Sequence, residues 1–202
     1  MPTATTTTPS TQLATDAGYL RDYFASLIET IRRLDVNQIA NAVRLYREAW
    51  AAERMIYTMG NGGSASTASH MVVDMNKGAC FTSPKKLRVM CLNDNIPWML
   101  ALANDVNYES VFVEPLKNYL RPGDLVVGVS GSGNSKNILR AIEYANDHGA
   151  VTLGVTGYDG GKLFKIAQHN VHIPIHDMQI TEDLHLVYNH AMLRALCDGK
   201  GY

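Results

Sequence analysis

Apolar residues recur every three to four positions near the start of the chain, which is typical of amphipathic helices. In the first such segment the recurring residues are Leu20, Tyr23, Phe24, Leu27, Ile28, Ile31 and Leu34. Asp35 is a candidate N-cap for a second helix, whose apolar side carries Ile39, Ala42, Val43, Tyr46 and Trp50. Both helices precede any strand pattern, so they either dock on a sheet or pack against another subunit.

From Arg54 onward, short and nearly continuous apolar runs alternate with amphipathic segments. The apolar runs predict strands at 54–59, 87–92, 125–130, 151–156 and 170–175. Helices are predicted at 64–76, 95–104, 109–120, 135–148, 160–168 and 181–197. Continuous apolar strands separated by helices are typical of a parallel sheet buried on both faces. We therefore expect an α/β fold: a doubly wound, five-stranded parallel sheet in an αβα sandwich, with the helical pair before it.

Composition narrows the class of protein. Residues 1–15 are rich in threonine and nearly devoid of large apolar residues, so we expect a disordered tail followed by one domain at 16–202. The formal net charge of −1 argues against a nucleic-acid partner. Neither a secretory signal nor an apolar run of the ~20 residues that span a bilayer is evident. Three scattered cysteines, Cys80, Cys91 and Cys197, are typical of reduced thiols, so we expect a cytoplasmic protein without a membrane partner.

Two turns rich in glycine and serine follow predicted strands. The first glycine turn, residues 60–64, reads Gly-Asn-Gly-Gly-Ser, and the serine turn, residues 130–135, reads Ser-Gly-Ser-Gly-Asn-Ser. A strand-to-helix junction presents free backbone N–H groups and the positive end of a helix dipole, which favour an anion. The simpler alternatives are a tight turn with Ser64 as helix cap, and a surface loop with Ser135 as N-cap. Together the two turns indicate a phosphorylated ligand.

Titratable residues with helical spacing form the second candidate feature. His70 and Asp74 lie four positions apart on one predicted helix face, where they can share a metal or a proton, or simply form a surface pair. Glu182 and His190 lie eight positions apart, on roughly the same side of the last helix. His185 lies on a different face and is interpreted as a packed or capping histidine.

Together, these motifs resemble the sugar isomerase (SIS) domain, and within it the phosphoheptose isomerase family, over residues ~20–197. The most specific parts are residues 60–65 with His70 nearby, and the serine turn. Further support comes from Ala103-Asn104-Asp105, from residues 156–162 (Thr-Gly-Tyr-Asp-Gly-Gly-Lys), and from Glu182-Asp183-Leu184-His185 with His190. Without the resemblance, Asn104-Asp105 indicates only the C-terminal end of a helix.

The resemblance implies interconversion of sedoheptulose 7-phosphate and D-glycero-D-manno-heptose 7-phosphate through an enediol, in a homotetramer with active sites between subunits. It implies zinc or another divalent metal and no organic cofactor. The substrate-binding residues would be Asn61, Gly62, Gly63, Ser64, Asp74, Asn104, Asp105, Ser130, Gly131, Ser132, Ser135 and Glu182, with the three serines of the serine turn on the phosphate. The metal ligands would be His70, Asp74, Glu182 and His190, and the acid/base pair would be Asp74 and His190.

The chain departs from the family pattern at three positions. The pattern has glutamate where this chain has Asp74, glutamine where it has Glu182, and threonine where it has Gly131. A base must come within about 2.6–3.2 Å of its proton, so the shorter Asp74 requires a shift of the backbone or the metal. Two carboxylates with two histidines form a good divalent-metal set. The alternatives are a non-catalytic SIS protein that binds a sugar phosphate or a replication initiator, and an isomerase of another phosphosugar.

Overall fold

A computed structural model describes residues 9–199, with side chains from residue 12. The described part of the chain divides into two compact units, with the boundary between Arg33 and Leu34. The first unit is helix α1, Pro9–Arg32. Residues 9–15, for which the sequence predicts disorder, are therefore helical, while residues 1–8 of that tail lie outside the described residues. Proline suits the first turn of a helix, and the Gln12 amide donates to Asp16 one turn later at 2.8 Å.

The second unit contains the sheet and seven further helices. The elements in chain order are α2 (Val36–Ala51), β1 (Met55–Gly60), α3 (Gly63–Val73), β2 (Arg88–Cys91), α4 (Ile96–Asp105), α5 (Val113–Tyr119), β3 (Leu125–Ser130), α6 (Lys136–Asp147), β4 (Val151–Thr156), α7 (Leu163–Ile166), β5 (His169–His172) and α8 (Met178–Leu196). A π-helical turn, Asp74–Ala79, extends α3, and a 3-10 turn, Tyr108–Ser110, precedes α5. As predicted, Asp35 caps α2, accepting from the Asn37 N–H at 2.9 Å.

The five strands are all parallel, in the order β2-β1-β3-β4-β5. This confirms the predicted doubly wound sheet. The chain reverses its direction of winding between β1 and β3, and ligands of such sheets bind at the carboxyl ends of the strands beside this switch point. Both turns follow these two strands, so they lie at that place in the fold.

Two apolar clusters cover the faces of the sheet and form the αβα sandwich. One cluster packs α2, α3 and α8 on the sheet through residues such as Tyr46, Met71 and Tyr188. The other packs α5, α6 and α7 through residues such as Leu116, Ile142 and Leu163. Within residues 9–199 the structure contains no helix whose length and apolar character would let it cross a membrane.

Several predicted bounds differ from the structure for local reasons. The last strand ends at His172 instead of residue 175, because Pro174 has no N–H and the Ile175 N–H turns back to the Ile173 carbonyl oxygen. The last helix begins at Met178 instead of residue 181, because Asp177 accepts from the Ile180 N–H and caps it. The helix predicted at 160–168 is a single turn.

Candidate active site

The first glycine turn joins the end of β1 to the start of α3. The Asn93 side chain holds this strand end, since it donates to the Gly60 carbonyl oxygen (2.9 Å) and accepts from the Gly60 N–H (3.1 Å). Gly62, with φ +56°, is the N-cap of α3. The alternative prediction that Ser64 caps this helix is therefore wrong; Ser64 is buried within it. The first N–H groups of α3 have no partner inside the helix, which leaves them for an anion or a polar ligand.

Asn61 ties the first glycine turn to the helix that follows the serine turn. Its amide forms a reciprocal pair with the buried Asn137 amide of α6, at 3.0 and 2.9 Å. The Tyr108 hydroxyl donates to the same Asn61 oxygen at 2.8 Å. The predicted sugar contact at Asn61 thus also serves to hold the two turns at a fixed separation.

The serine turn contains hydroxyl groups close to one another. Ser130 Oγ and Ser135 Oγ lie 3.2 Å apart, and Ser132 Oγ accepts from the Asn134 N–H at 3.3 Å. Ser135 is the N-cap residue of α6, as the simpler prediction had it, but its hydroxyl makes no cap hydrogen bond. The hydroxyls and the start of α6 therefore combine neutral donors with a helix dipole, a suitable environment for a phosphate.

The loop after β4 braces the serine turn. The Gly157 N–H donates to the Gly131 carbonyl oxygen at 2.8 Å, and the Leu163 N–H donates to the Gly133 carbonyl oxygen at 2.9 Å. Gly133 has φ +64°, and a Cβ there would overlap the carbonyl oxygen of Gly160. The glycine-rich segment 156–162 is explained by this close approach of two backbones.

Three titratable side chains meet between α3, its π-helical extension and α8. His70 and His190 place their Nε2 atoms 3.1 Å apart, and these atoms lie 3.5 and 3.6 Å from Asp74 Oδ2. Asp74 is only 3% exposed, and the Asn189 amide donates to the same carboxylate oxygen at 2.6 Å. Asp74 is the first residue of the π-helical turn, a local distortion frequent at functional sites. We call His70, Asp74 and His190 the His-Asp-His triad.

The His-Asp-His triad fits a divalent metal. One donor atom from each residue lies within 4.8 Å of the others. Two histidines and a carboxylate are a donor set that zinc takes in catalytic sites, where a further position stays open to substrate or water. The Asn189 hydrogen bond orients the carboxylate from behind, as is common for metal ligands. The triad therefore contains three of the four predicted ligands.

Glu182, the fourth predicted ligand, lies outside the triad. Its carboxylate packs against Gly63, where a Cβ would overlap it. The reason is geometric: a helix rises about 1.5 Å per residue, so eight residues separate Glu182 from His190 by about 12 Å along α8. Glu182 and one member of the triad, His70, nevertheless line the same cavity of about 220 Å³, together with Gly63.

Helix α8 connects both turns with the triad. Near its start, Met178 lies beside the serine turn, where its Sδ would be 3.0 Å from a Cβ at Gly131. Glu182 then meets the first glycine turn, and His190 completes the triad. The candidate site thus extends along one helix, from the serine turn to the His-Asp-His triad.

Comparison with known proteins places this arrangement in a family. The family model "SIS domain" matches residues 19–157. The phosphoheptose isomerase of Geotalea daltonii is 33% identical over 161 residues, which cover 80% of this chain and 81% of the relative. The chain belongs to the SIS-domain family of phosphoheptose isomerases. Another member, from Aliarcobacter butzleri, is 30% identical over 87% of this chain and 90% of its own. The solved phosphoheptose isomerase of Neisseria gonorrhoeae superposes with a TM-score of 0.84, at 25% identity, over 90% of this chain and 98% of its own.

At two positions where the chain departs from the phosphoheptose isomerase pattern, the structure shows which side chain lies next to the changed residue. At Gly131, the nearby Met178 sulfur occupies the space into which a threonine side chain would extend. At Asp74, the buried Asn189 amide bonds the shorter carboxylate. Neither neighbour was among the predicted site residues.

Three further residues considered in the sequence analysis, Asn104, Asp105 and His185, lie outside the triad and the two turns. Asn104 and Asp105 are the last two residues of α4; they are exposed, and the Asn104 amide donates to Asp105 at 2.7 Å. Among the described residues, the side chains of this pair form no hydrogen bond to either turn. His185 is fully buried, consistent with a packed histidine, and burial lowers its pKa to about 4.

Proposed function

We propose that the protein is an aldose–ketose isomerase that interconverts sedoheptulose 7-phosphate and D-glycero-D-manno-heptose 7-phosphate through an enediol. The observation that carries this proposal is the buried Asp74 carboxylate in contact with His70 and His190. His70 in turn lines a cavity that reaches Gly63 of the first glycine turn. Acid/base groups next to anion-binding turns are what isomerisation of a phosphosugar needs. The names of the relatives support the heptose phosphate as substrate.

The two turns would divide the substrate between them. The hydroxyls of Ser130, Ser132 and Ser135, with the Gly131 backbone and the start of α6, hold the phosphate. The first glycine turn would contact the sugar hydroxyls, as would Glu182, which lies against Gly63. The residues assigned to the sugar in this turn are Asn61, Gly62, Gly63 and Ser64. A ketose phosphate bound in this way directs its carbonyl end toward the triad.

Proton transfer would use Asp74 and His190. The Asn189 amide donates to Asp74 Oδ2, while Asp74 Oδ1 accepts no hydrogen bond from the described residues. Oδ1 can therefore remove the proton from the carbon next to the substrate carbonyl. His190, whose side chain is 52% exposed, can return a proton to the neighbouring carbon. When bound by the His-Asp-His triad, a divalent metal supplies Lewis-acid polarisation of the carbonyl.

The test is an isomerase assay in D₂O, followed by NMR. Wild type should convert sedoheptulose 7-phosphate and incorporate deuterium at the carbon that loses its proton. Asp74→Asn and His190→Gln should each lose at least 100-fold in turnover, since one acid/base group contributes about 10²–10⁴-fold. His148→Gln, at an exposed histidine stacked on Tyr144, is the matched control. Full activity in both triad variants would refute the assignment, and a panel of other ketose phosphates tests the substrate.

We also infer a cytoplasmic homotetramer with active sites at subunit interfaces. Helix α4 has no buried residue, although it carries Ile96 and Leu100, which are 57% and 60% exposed. An apolar helix of this kind indicates a contact surface, and Asn104 and Asp105 at its end would supply sugar contacts there. Light scattering should give about 89 kDa, four times the 22.2-kDa chain, and Leu100→Lys should reduce it. A wild-type monomer contradicts the inference.

A further inference from the structure

Three arginines lie at the amino ends of neighbouring strands, opposite the end that carries the two turns. Arg54 directly precedes β1, Arg88 is the first residue of β2, and Arg121 lies shortly before β3. Because β2, β1 and β3 are adjacent in the sheet, the three side chains line one cavity of about 280 Å³. We call this the arginine cavity.

The lining of the arginine cavity carries an excess of positive charge, with three arginines against two carboxylates. Within residues 9–199, none of its three arginines forms an ion pair. Of the acidic residues that line it, Glu53 pairs with Lys85 at 3.3 Å. The other, Asp124, is buried and accepts from the N–H groups of Met55 (3.0 Å) and Arg121 (2.8 Å). Arg88 Nη1 donates to the Glu53 carbonyl oxygen at 3.2 Å, and the other guanidinium N–H groups of the three arginines remain available to a ligand.

A tyrosine hydroxyl also lies at the arginine cavity. Tyr57 lines the same cavity, is 1% exposed, and donates to the Tyr119 carbonyl oxygen at 3.1 Å. Burial raises the pKa of Tyr57 to about 12, and Asp124 adds to this shift, whereas Arg121 and Arg88 oppose it. The hydroxyl is therefore neutral at physiological pH, and the charge at the cavity comes mainly from the arginines.

We propose that the arginine cavity binds a small phosphorylated metabolite through its phosphate, at a second site separate from the two turns. Guanidinium groups donate paired hydrogen bonds to phosphate oxygens, and three of them around one cavity suit a multiply charged group. A volume of about 280 Å³ lies near the lower end of ligand pockets, ~300–1,000 Å³, which fits a compound with one or two phosphates better than a dinucleotide. The site does not depend on the proposed isomerase activity.

The test is calorimetric titration of the full chain with pyrophosphate. The double variant Arg88→Gln/Arg121→Gln should weaken one class of site at least tenfold. The control Arg44→Gln/Arg140→Gln removes the same charge from exposed positions elsewhere and should bind as wild type. The variant Ser130→Ala/Ser135→Ala should keep the arginine-dependent site, which separates it from the serine turn. Because Arg54, Arg88 and Arg121 are exposed, the urea midpoint should be unchanged, and Arg54→Gln provides an independent variant.

Two results would overturn the proposal. One is equal pyrophosphate binding by wild type and by the Arg88→Gln/Arg121→Gln variant. The other is an arginine-dependent site that prefers citrate to pyrophosphate, since this would make the ligand a carboxylate. A negative isomerase assay leaves both readouts unchanged, so the two proposals fail independently.

Discussion

His185 should make the protein acid-sensitive. This side chain of α8 is fully buried, and neither ring nitrogen makes a hydrogen bond of standard geometry with the described residues. Burial lowers its pKa from 6.5 to about 4; the nearby His172 adds to the shift, and the Thr156 backbone opposes it. We expect the replacement His185→Leu, which removes the buried nitrogens at similar size, to reduce this sensitivity.

The magnitude follows from the two pKa values. Below pH 6.5 the unfolded chain binds a proton at His185 that the folded protein does not, so stability falls as the pH decreases toward 4. One pKa unit is worth about 1.4 kcal/mol, which gives a total loss of about 3 kcal/mol from this group, most of it by pH 4.5. Below pH 4 both states are protonated and the effect of this residue no longer grows. At pH 8 the variant should be within about 1 kcal/mol of wild type, because an unpaired polar group is lost along with its packing.

The assay is urea unfolding followed by circular dichroism at several pH values between 4.5 and 8. His148→Gln serves as control, since that histidine is exposed and should leave the acid dependence unchanged. NMR provides a direct readout, because the His185 ring signal, assigned by its absence in the variant, should titrate below pH 5. Equal acid losses in wild type and His185→Leu, or titration near pH 6.5, would refute the reasoning.

Three further predictions concern the site and the core. Asn189→Leu should reduce zinc affinity about 10–100-fold in a chelator competition; unfolding free energy should change little, because the variant also removes a buried amide oxygen without a partner among the described residues. Gly133→Ala should lower the unfolding free energy by more than about 1 kcal/mol, because its Cβ would overlap the Gly160 carbonyl. The same variant should raise KM more than it lowers kcat. The control Gly199→Ala also has a positive φ but open space around its Cβ, so it should leave KM unchanged. Burial raises the pKa of Cys91 to about 11, so a disulfide reagent at pH 8 should modify Cys197 first and Cys91 only after unfolding.

The central strands could be predicted because burial on both faces leaves a continuous apolar run. The predicted bounds of β3 and β4 coincide with the structure, and β1 is shifted by one residue. The predicted bounds of the edge strand β5 differ more from the structure, because this strand is not buried on both faces and its apolar pattern is weaker. The π-helical turn after α3 has no sequence signal of its own, although it positions Asp74.

The candidate site was predictable where its residues are close in sequence. Each turn is a contiguous motif, and the pairing of His70 with Asp74 follows from helical spacing. The contact between Asp74 and Asn189 joins positions 115 residues apart, so only the packing of α8 on α3 reveals it. The rise of helix α8 separates Glu182 from the triad, because residues on one helix face can still lie two turns apart.

Strand order also explains why the arginine cavity is invisible in the sequence. Arg54, Arg88 and Arg121 are more than 30 residues apart, and the formal net charge of −1 indicates no basic region. In a doubly wound sheet, however, every strand begins at the same end, so a charged residue before each of three adjacent strands accumulates at one place. Of the acidic residues that line the cavity, Glu53 pairs with Lys85 and Asp124 accepts from two backbone N–H groups. Average charge therefore excludes an extended basic surface of the kind that binds nucleic acid, but it does not exclude a compact anion site.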